Sequence, residues 1–151
     1  MSDFPAAIEI HEEGPREGFQ FEKTLFPLAE RVALVDALSH TGLKQIQVAS
    51  FVSSKRVPQM ADAAEFFAAI EKVPGVAHTA LWLNEQGFRR AASVKNVDLK
   101  GVLLLYASDE FALLNNGCDA EAMRKHQDNW IRLYDDAGVA IRAVYIMTAF
   151  G

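Results

Sequence analysis

The feature that most constrains this chain is a regular alternation of short strand-like hydrophobic runs with longer runs of helical period. Strands are expected at 8–12, 43–49, 79–83, 102–106 and 139–146. Between them, residues 27–39 place Leu28, Val32, Val35 and Leu38 on one 3.6-residue stripe. Pro27 suits the first turn of that helix, and Gly42 suits the left-handed residue after its end. Residues 60–72 form a second helical run carrying Met60, Ala63, Ala64, Phe67 and Ile70, stopped by Pro74-Gly75. Asn84 is placed to cap a short helix bearing Phe88, Ala91 and Ala92. Asp119 is placed to cap a long one through Asp136, with Met123, Trp130 and Leu133 on its apolar side and Gly138 beyond its end.

Strand–helix alternation implies right-handed crossovers and a parallel sheet. The reading is α/β, with five parallel strands in the order 1-2-3-4-5 and four helices. No linker-like stretch interrupts it, so residues 1–151 are read as a single domain. Size limits the architecture. A closed eight-stranded (β/α) barrel takes about 250 residues, so 151 residues leave a small open doubly wound sheet or a half-barrel. Periodicity does not choose between them.

Charge and composition narrow the function classes. Fifteen Lys and Arg against 20 Asp and Glu give a net charge of −5, which offers no broad basic field for nucleic acid or an anionic membrane. No apolar run approaches the roughly 20 residues of a membrane span. One cysteine, Cys118, cannot form an internal disulfide and suits a reducing compartment. The first residues lack the basic and apolar regions of a secretory signal. A cytoplasmic location is the expectation.

Four segments stand out. They are Glu12-Glu13-Gly14-Pro15-Arg16-Glu17-Gly18-Phe19-Gln20-Phe21-Glu22-Lys23, the run from Gly42 through Ser50-Phe51-Val52-Ser53, Val57-Pro58-Gln59-Met60-Ala61-Asp62, and Ala107-Ser108 through Asn115 to Cys118. Read alone, Arg16 after Gly14-Pro15 fits an ordinary charged turn residue. In this order and spacing, however, the segments resemble the 3-hydroxy-3-methylglutaryl-CoA lyase family of metal-dependent barrel enzymes. The resemblance runs from about Ile8 to Gly151, and the 50–62 segment is its most specific part.

The resemblance implies an incomplete TIM-type half-barrel whose strand ends carry the site. It implies cleavage of a 3-hydroxy-acyl-CoA to acetyl-CoA and a 3-keto acid with Mg²⁺ or Mn²⁺, and hence an acyl-CoA substrate. Such a cleavage needs a positive group against a developing enolate oxygen, and Arg16 matches the family's catalytic arginine. Gln47 stands where the family has a catalytic Glu near the end of strand two. An amide cannot transfer a proton at physiological pH. Glu17 stands where the family has a metal-binding Asp. Glu12 and Gln20 match further polar positions of the motif and are assigned to substrate binding, with Gln20 expected beside Arg16. Glu13 replaces an apolar residue and Trp82 a small polar one; both are expected to alter the mouth of the site.

The family's metal histidines, Asn ligand and loop cysteine match no residue of this chain. His11, His40, His78 and His126 are scattered and read as structural or surface residues. Lys23, Lys55 and Arg56 fit either coenzyme A phosphates or solvated surface. Three functions stay open on these residues: a hydroxymethylglutaryl-CoA lyase-like chain inactive by itself, a non-catalytic half-barrel that binds a partner, and a lyase or synthase for another 3-hydroxy-acyl-CoA. Exposed barrel edges are expected to drive self-association.

Overall fold

The computed structural model describes residues 4–150. They form strands β1 (His11–Glu12), β2 (Gln45–Ser50), β3 (Ala77–Leu81), β4 (Gly101–Tyr106) and β5 (Ile141–Met147). The helices are α1 (Gly14–Phe21), α2 (Leu28–Ser39), α3 (Ala63–Ala69), α4 (Glu85–Ala92), α5 (Asp109–Asn116) and α6 (Ala120–Asp136), with a 3-10 turn at Pro58–Met60. All described strand pairs are parallel and sequential, so the α/β reading holds, and the described strands close no barrel. Contacts divide the chain into two compact units, residues 1–99 and 100–151.

In the first unit β2 is central, pairing with β1 at His11↔Gln45 and with β3 at Ile46↔His78. Ile46, Val48, Ala49 and Phe51 are buried, as a strand covered on both faces requires. Val35 of α2, Phe66 and Phe67 of α3, and Phe88 and Ala91 of α4 complete this core. Phe51 stacks on Phe67 with centroids 5.9 Å apart. Gly42 takes φ +95°, a conformation that L side chains rarely adopt, just after α2. A Cβ on Gly87 would meet the Phe51 carbonyl oxygen at 2.4 Å, so α4 reaches the loop after β2 only because this residue is glycine.

A buried cation ties the 50–62 segment to α2. Arg31, 4% exposed, pairs with Asp62, donates to the Gln59 carbonyl at 3.3 Å and lies 4.9 Å over the Phe66 ring. Gln59 Nε2 in turn donates to the Glu22 carbonyl at 2.6 Å.

In the second unit α6 packs on β4, which pairs with β5. Tyr134 Oη donates to the Val102 carbonyl at 3.3 Å, and the Leu104 amide donates to Gln127 Oε1 at 3.0 Å. Asp119 caps α6 by accepting from Ala122 N at 2.7 Å. On β5, Val144, Tyr145 and Ile146 are each more than half exposed.

Several expectations are corrected. The described strands form a three-stranded and a two-stranded sheet rather than one sheet of five. At the edge of the first unit's sheet, Asp98 meets the backbone of His78. Ala77 N bonds to Lys44 O on the β2 side, so His78 faces the free edge. There its amide donates to Asp98 Oδ2 at 2.7 Å and its carbonyl accepts from Asp98 N at 2.8 Å. The first strand shrinks to two residues, leaving Ile8 and Ile10 exposed. The Gly14–Gly18 turn is helix α1, and α5 joins the four helices expected from periodicity. Trp82, expected at the mouth of the site, is 8% exposed, with its ring 5.4 Å from Phe88.

Candidate active site

Arg16 is brought to β2 by a one-residue connection. β1 ends at Glu12, Glu13 is the N-cap residue, and α1 begins at Gly14 with Pro15 in its first turn. Proline there costs nothing, because the amide it lacks would have no helical partner. Glu12 Oε1 accepts from the Gly14 amide at 2.5 Å, satisfying one of the free amides of the helix start. This third turn position then places Arg16 against β2.

Arg16 is 9% exposed and hydrogen-bonded through all three of its nitrogens. Nε donates to Gln47 Oε1 at 2.6 Å, one terminal nitrogen donates to Glu13 Oε2 at 2.6 Å, and the other pairs with Glu17. Strand alternation puts Gln47 on the face of β2 opposite the buried Ile46. The guanidinium is therefore buried, held in plane by three oxygens, and retains two of its five N–H donors, one on each terminal nitrogen. Charge-assisted bonds of this kind fix geometry as well as energy.

The structure brings together four of the sequence-singled positions: Arg16, Gln47, Glu17 and Glu13. Glu12 is adjacent in sequence, but its described bond is to the helix start. Gln20 lies one turn beyond Arg16, and its Oε1 is buried with no hydrogen-bond partner rather than bonded to Arg16. A buried acceptor in that condition is costly unless a donor reaches it. Lys23, Lys55 and Arg56 are exposed.

The divalent cation implied by the resemblance was assigned to Glu17. That carboxylate is engaged with Arg16. Among the described residues, no three His, Cys, Asp or Glu side chains come together in a group able to hold a metal. Mg²⁺ demands an octahedral set of oxygens. The residues present do not compose such a site.

His78 was missed as anything but a scattered histidine. It is fully buried, and its Nε2 lies 2.8 Å from Ser39 Oγ. Ser39 spends its hydroxyl proton on the Val35 carbonyl at 2.8 Å, so it accepts from His78. The imidazole is then the neutral Nε2–H form, with Nδ1 bare and buried. Burial holds its pKa below the ordinary value, and the charge of Lys72 lowers it further, against smaller opposing effects of Asp98 and Asp36. Nothing in a single sequence marks this residue, because Ser39 lies 39 positions away.

A family model described as HMGL-like matches residues 7–149. The chain is 37% identical over its full length to the mitochondrial hydroxymethylglutaryl-CoA lyase of Bos taurus, of which it covers 46%. It is 41% identical over 80% of its length to the cytoplasmic 3-hydroxy-3-methylglutaryl-CoA lyase of Mus musculus, covering 35% of that protein. The crystal structure of the Pseudomonas aeruginosa hydroxymethylglutaryl-CoA lyase aligns with 94% of this chain and 46% of its own, at TM-score 0.81 and 38% identity. An Acinetobacter baumannii HMG-CoA lyase in complex with coenzyme A and 3-methylmalate aligns with 100% of this chain and 48% of its own, at TM-score 0.82 and 26% identity. The chain spans about half the length of the curated relatives it matches.

Proposed function

The chain belongs to the HMGL-like family, and on that premise we propose that it carries the arginine-bearing half of a site for cleaving a 3-hydroxy-3-methylglutaryl-CoA-type ester. The observation that carries the reading is the buried Arg16 guanidinium, fixed by Gln47 just beyond the C-terminal end of β1. In (β/α) barrels that end of the strands is where active sites lie. The family match runs through both compact units, which supports treating residues 1–151 as part of one barrel domain.

In the reaction the 3-hydroxyl gives its proton to water, and its oxygen forms the ketone C=O at C3 as the C2–C3 bond breaks. The bonding pair passes into the thioester as an enolate, whose C2 then takes up a proton from water. Arg16 offers its two unspent N–H donors to the enolate oxygen, where charge develops. Gln47 holds Nε and so orients the plane of the guanidinium; as an amide it moves no proton. Gln20 Oε1 is an acceptor for a substrate hydroxyl, and Glu12 holds the helix start from which Arg16 projects. The Mg²⁺ or Mn²⁺ of the family reading needs ligands beyond those the described residues assemble, and no step here passes through it.

The partner of this reading is an acyl-CoA, supported by the coenzyme A bound to the Acinetobacter baumannii relative. A cytoplasmic location is supported by the mouse cytoplasmic relative. Self-association through β5 is supported by its exposed Val144, Tyr145 and Ile146. A non-catalytic half-barrel is the competing reading, favoured by the amide at Gln47.

The deciding experiment assays acetyl-CoA release from 3-hydroxy-3-methylglutaryl-CoA by two proteins. One is the 151-residue chain; the other is that chain joined to the C-terminal half of a full-length relative. Turnover by the joined protein alone supports the lyase half-site. No turnover by a folded joined protein, with this or related 3-hydroxy-acyl-CoA esters, supports the non-catalytic reading.

A further inference from the structure

Glu13 is an N-cap residue that caps nothing: its side chain makes no bond to the amides of α1. The neighbouring Glu12 carboxylate takes the Gly14 amide instead. Glu13 Oε2 turns to Arg16, 2.6 Å from a terminal nitrogen, while its backbone carbonyl accepts from the Arg16 and Glu17 amides at 3.1 and 2.7 Å. Backbone and side chain of Glu13 thus both grip the residue three positions on. The Arg16 side chain is 11% exposed and that of Glu13 45%, so the carboxylate is a solvent-side stop on a buried guanidinium.

We propose that Glu13 is a positioning residue for Arg16, supplying on the terminal-nitrogen side the negative charge that the amide of Gln47 does not supply at Nε. The proposal deepens the reading of Arg16 as a site residue and rests on it. Three oxygens meet one guanidinium, and two of them, from Glu13 and Glu17, carry charge. Glutamine and glutamate are isosteric, so a Glu at 47 would meet Nε with a charged oxygen where Gln47 now offers a neutral one. The resemblance places Glu at 47 and an apolar residue at 13. Relative to it, a carboxylate is absent at 47 and present at 13, where it meets a terminal nitrogen. The exchange leaves the number of carboxylates around Arg16 at two and removes one N–H from those open to substrate. Positions 13 and 47 should therefore be coupled through Arg16, although they lie on different elements.

The test uses the 151-residue chain and the arginine reagent phenylglyoxal, with modification followed at each arginine by peptide mass mapping. Arg89, exposed and paired with Glu85, is the internal reference. Glu13→Val should speed modification of Arg16 about tenfold, the weight of one charge-assisted hydrogen bond. Glu13→Gln keeps an acceptor without charge and should fall between. Gln47→Glu added to Glu13→Val should return the rate toward that of the parent, and the shifts in melting temperature should be non-additive. Should Glu13→Val not fold, the same comparison is made between Glu13→Gln and Glu13→Gln/Gln47→Glu. Unchanged Arg16 reactivity in the folded Glu13 variants would overturn the proposal, as would strict additivity with Gln47→Glu. Modification reads whether Glu13 sets Arg16, and ester cleavage reads whether Arg16 meets substrate, so either claim can fail without the other.

Discussion

Gln47 Oε1, in the middle of β2, accepts the Nε hydrogen of Arg16 at 2.6 Å across 31 residues of sequence. The bond joins the start of α1 to the central strand of its unit, and it fixes a permanent charge buried at the start of α1. Its two partners make different demands. Arg16 cannot shed its charge, so its donors must find oxygens. Gln47 can be replaced by shapes that offer none.

Gln47→Leu should accordingly lower stability by about 1–3 kcal/mol, the cost of leaving a buried charged donor without its acceptor. Urea unfolding followed by circular dichroism measures it. A change within about 0.5 kcal/mol, the usual range for uninvolved surface positions, would show that the bond does not hold α1.

Asp62→Ala removes the carboxylate facing Arg31, whose side chain is 5% exposed. The bond to Gln59 O and the Phe66 ring remain. Asp62 itself is 38% exposed, so water softens the loss, and about 1–3 kcal/mol is expected. Arg31→Met removes the charge and keeps most of the volume, and it should cost less than Asp62→Ala. The opposite ranking in paired urea titrations would contradict the clamp between α2 and the 50–62 segment.

Gly87→Ala should be among the most disruptive small substitutions, because its Cβ would sit 2.4 Å from a backbone oxygen that cannot rotate away. The expected cost is above about 2 kcal/mol, with loss of the Trp82–Phe88 contact visible in tryptophan fluorescence. An unchanged melting temperature would place α4 farther from Phe51.

His78 gives stability a pH dependence of known sign. Its folded pKa is depressed below 6.5, first by burial and then by Lys72. Above about pH 6.5 both folded and unfolded forms are neutral and the full stability is present. As pH falls below that value the unfolded chain takes up a proton that the folded one refuses, and stability is lost until the folded pKa is reached. Urea midpoints should fall between pH 7.5 and 5.5, and His78→Gln should flatten that slope. An equal slope in the variant would exclude His78 as its source.

Much of this was legible in the residues, and the failures have physical causes. β4 is a nearly continuous apolar run, and Asn84 and Asp119 cap the helices they were expected to cap. Helix α1 was hidden because Gly14, Pro15 and Gly18 are turn formers, although Pro15 also suits a first helical turn. Helix α5 had readable punctuation: Ser108 accepts from Phe111 N at 3.2 Å, and Gly117 ends the helix at φ +74°. The meeting of Asp98 with the backbone of His78 was not legible, since the two lie 20 residues apart. Within the site, Arg16, Glu17 and Gln47 could be singled out, but the grip of Glu13 on Arg16 could not. That bond requires α1 to be a helix, and the segment reads as a turn.

The most direct measurement is turnover of 3-hydroxy-3-methylglutaryl-CoA by the chain joined to a relative's C-terminal half, with and without Arg16→Ala. Losing a donor to a developing oxyanion costs about 10²–10³-fold in rate, and a fall in kcat of that size, with folding intact, is expected. Arg16→Lys should also fall, because an ammonium cannot reproduce the planar fork, while Gln47→Glu should leave kcat unchanged or raise it. Near-parental kcat in a folded Arg16→Ala protein would contradict the assignment of Arg16 as the group that meets substrate.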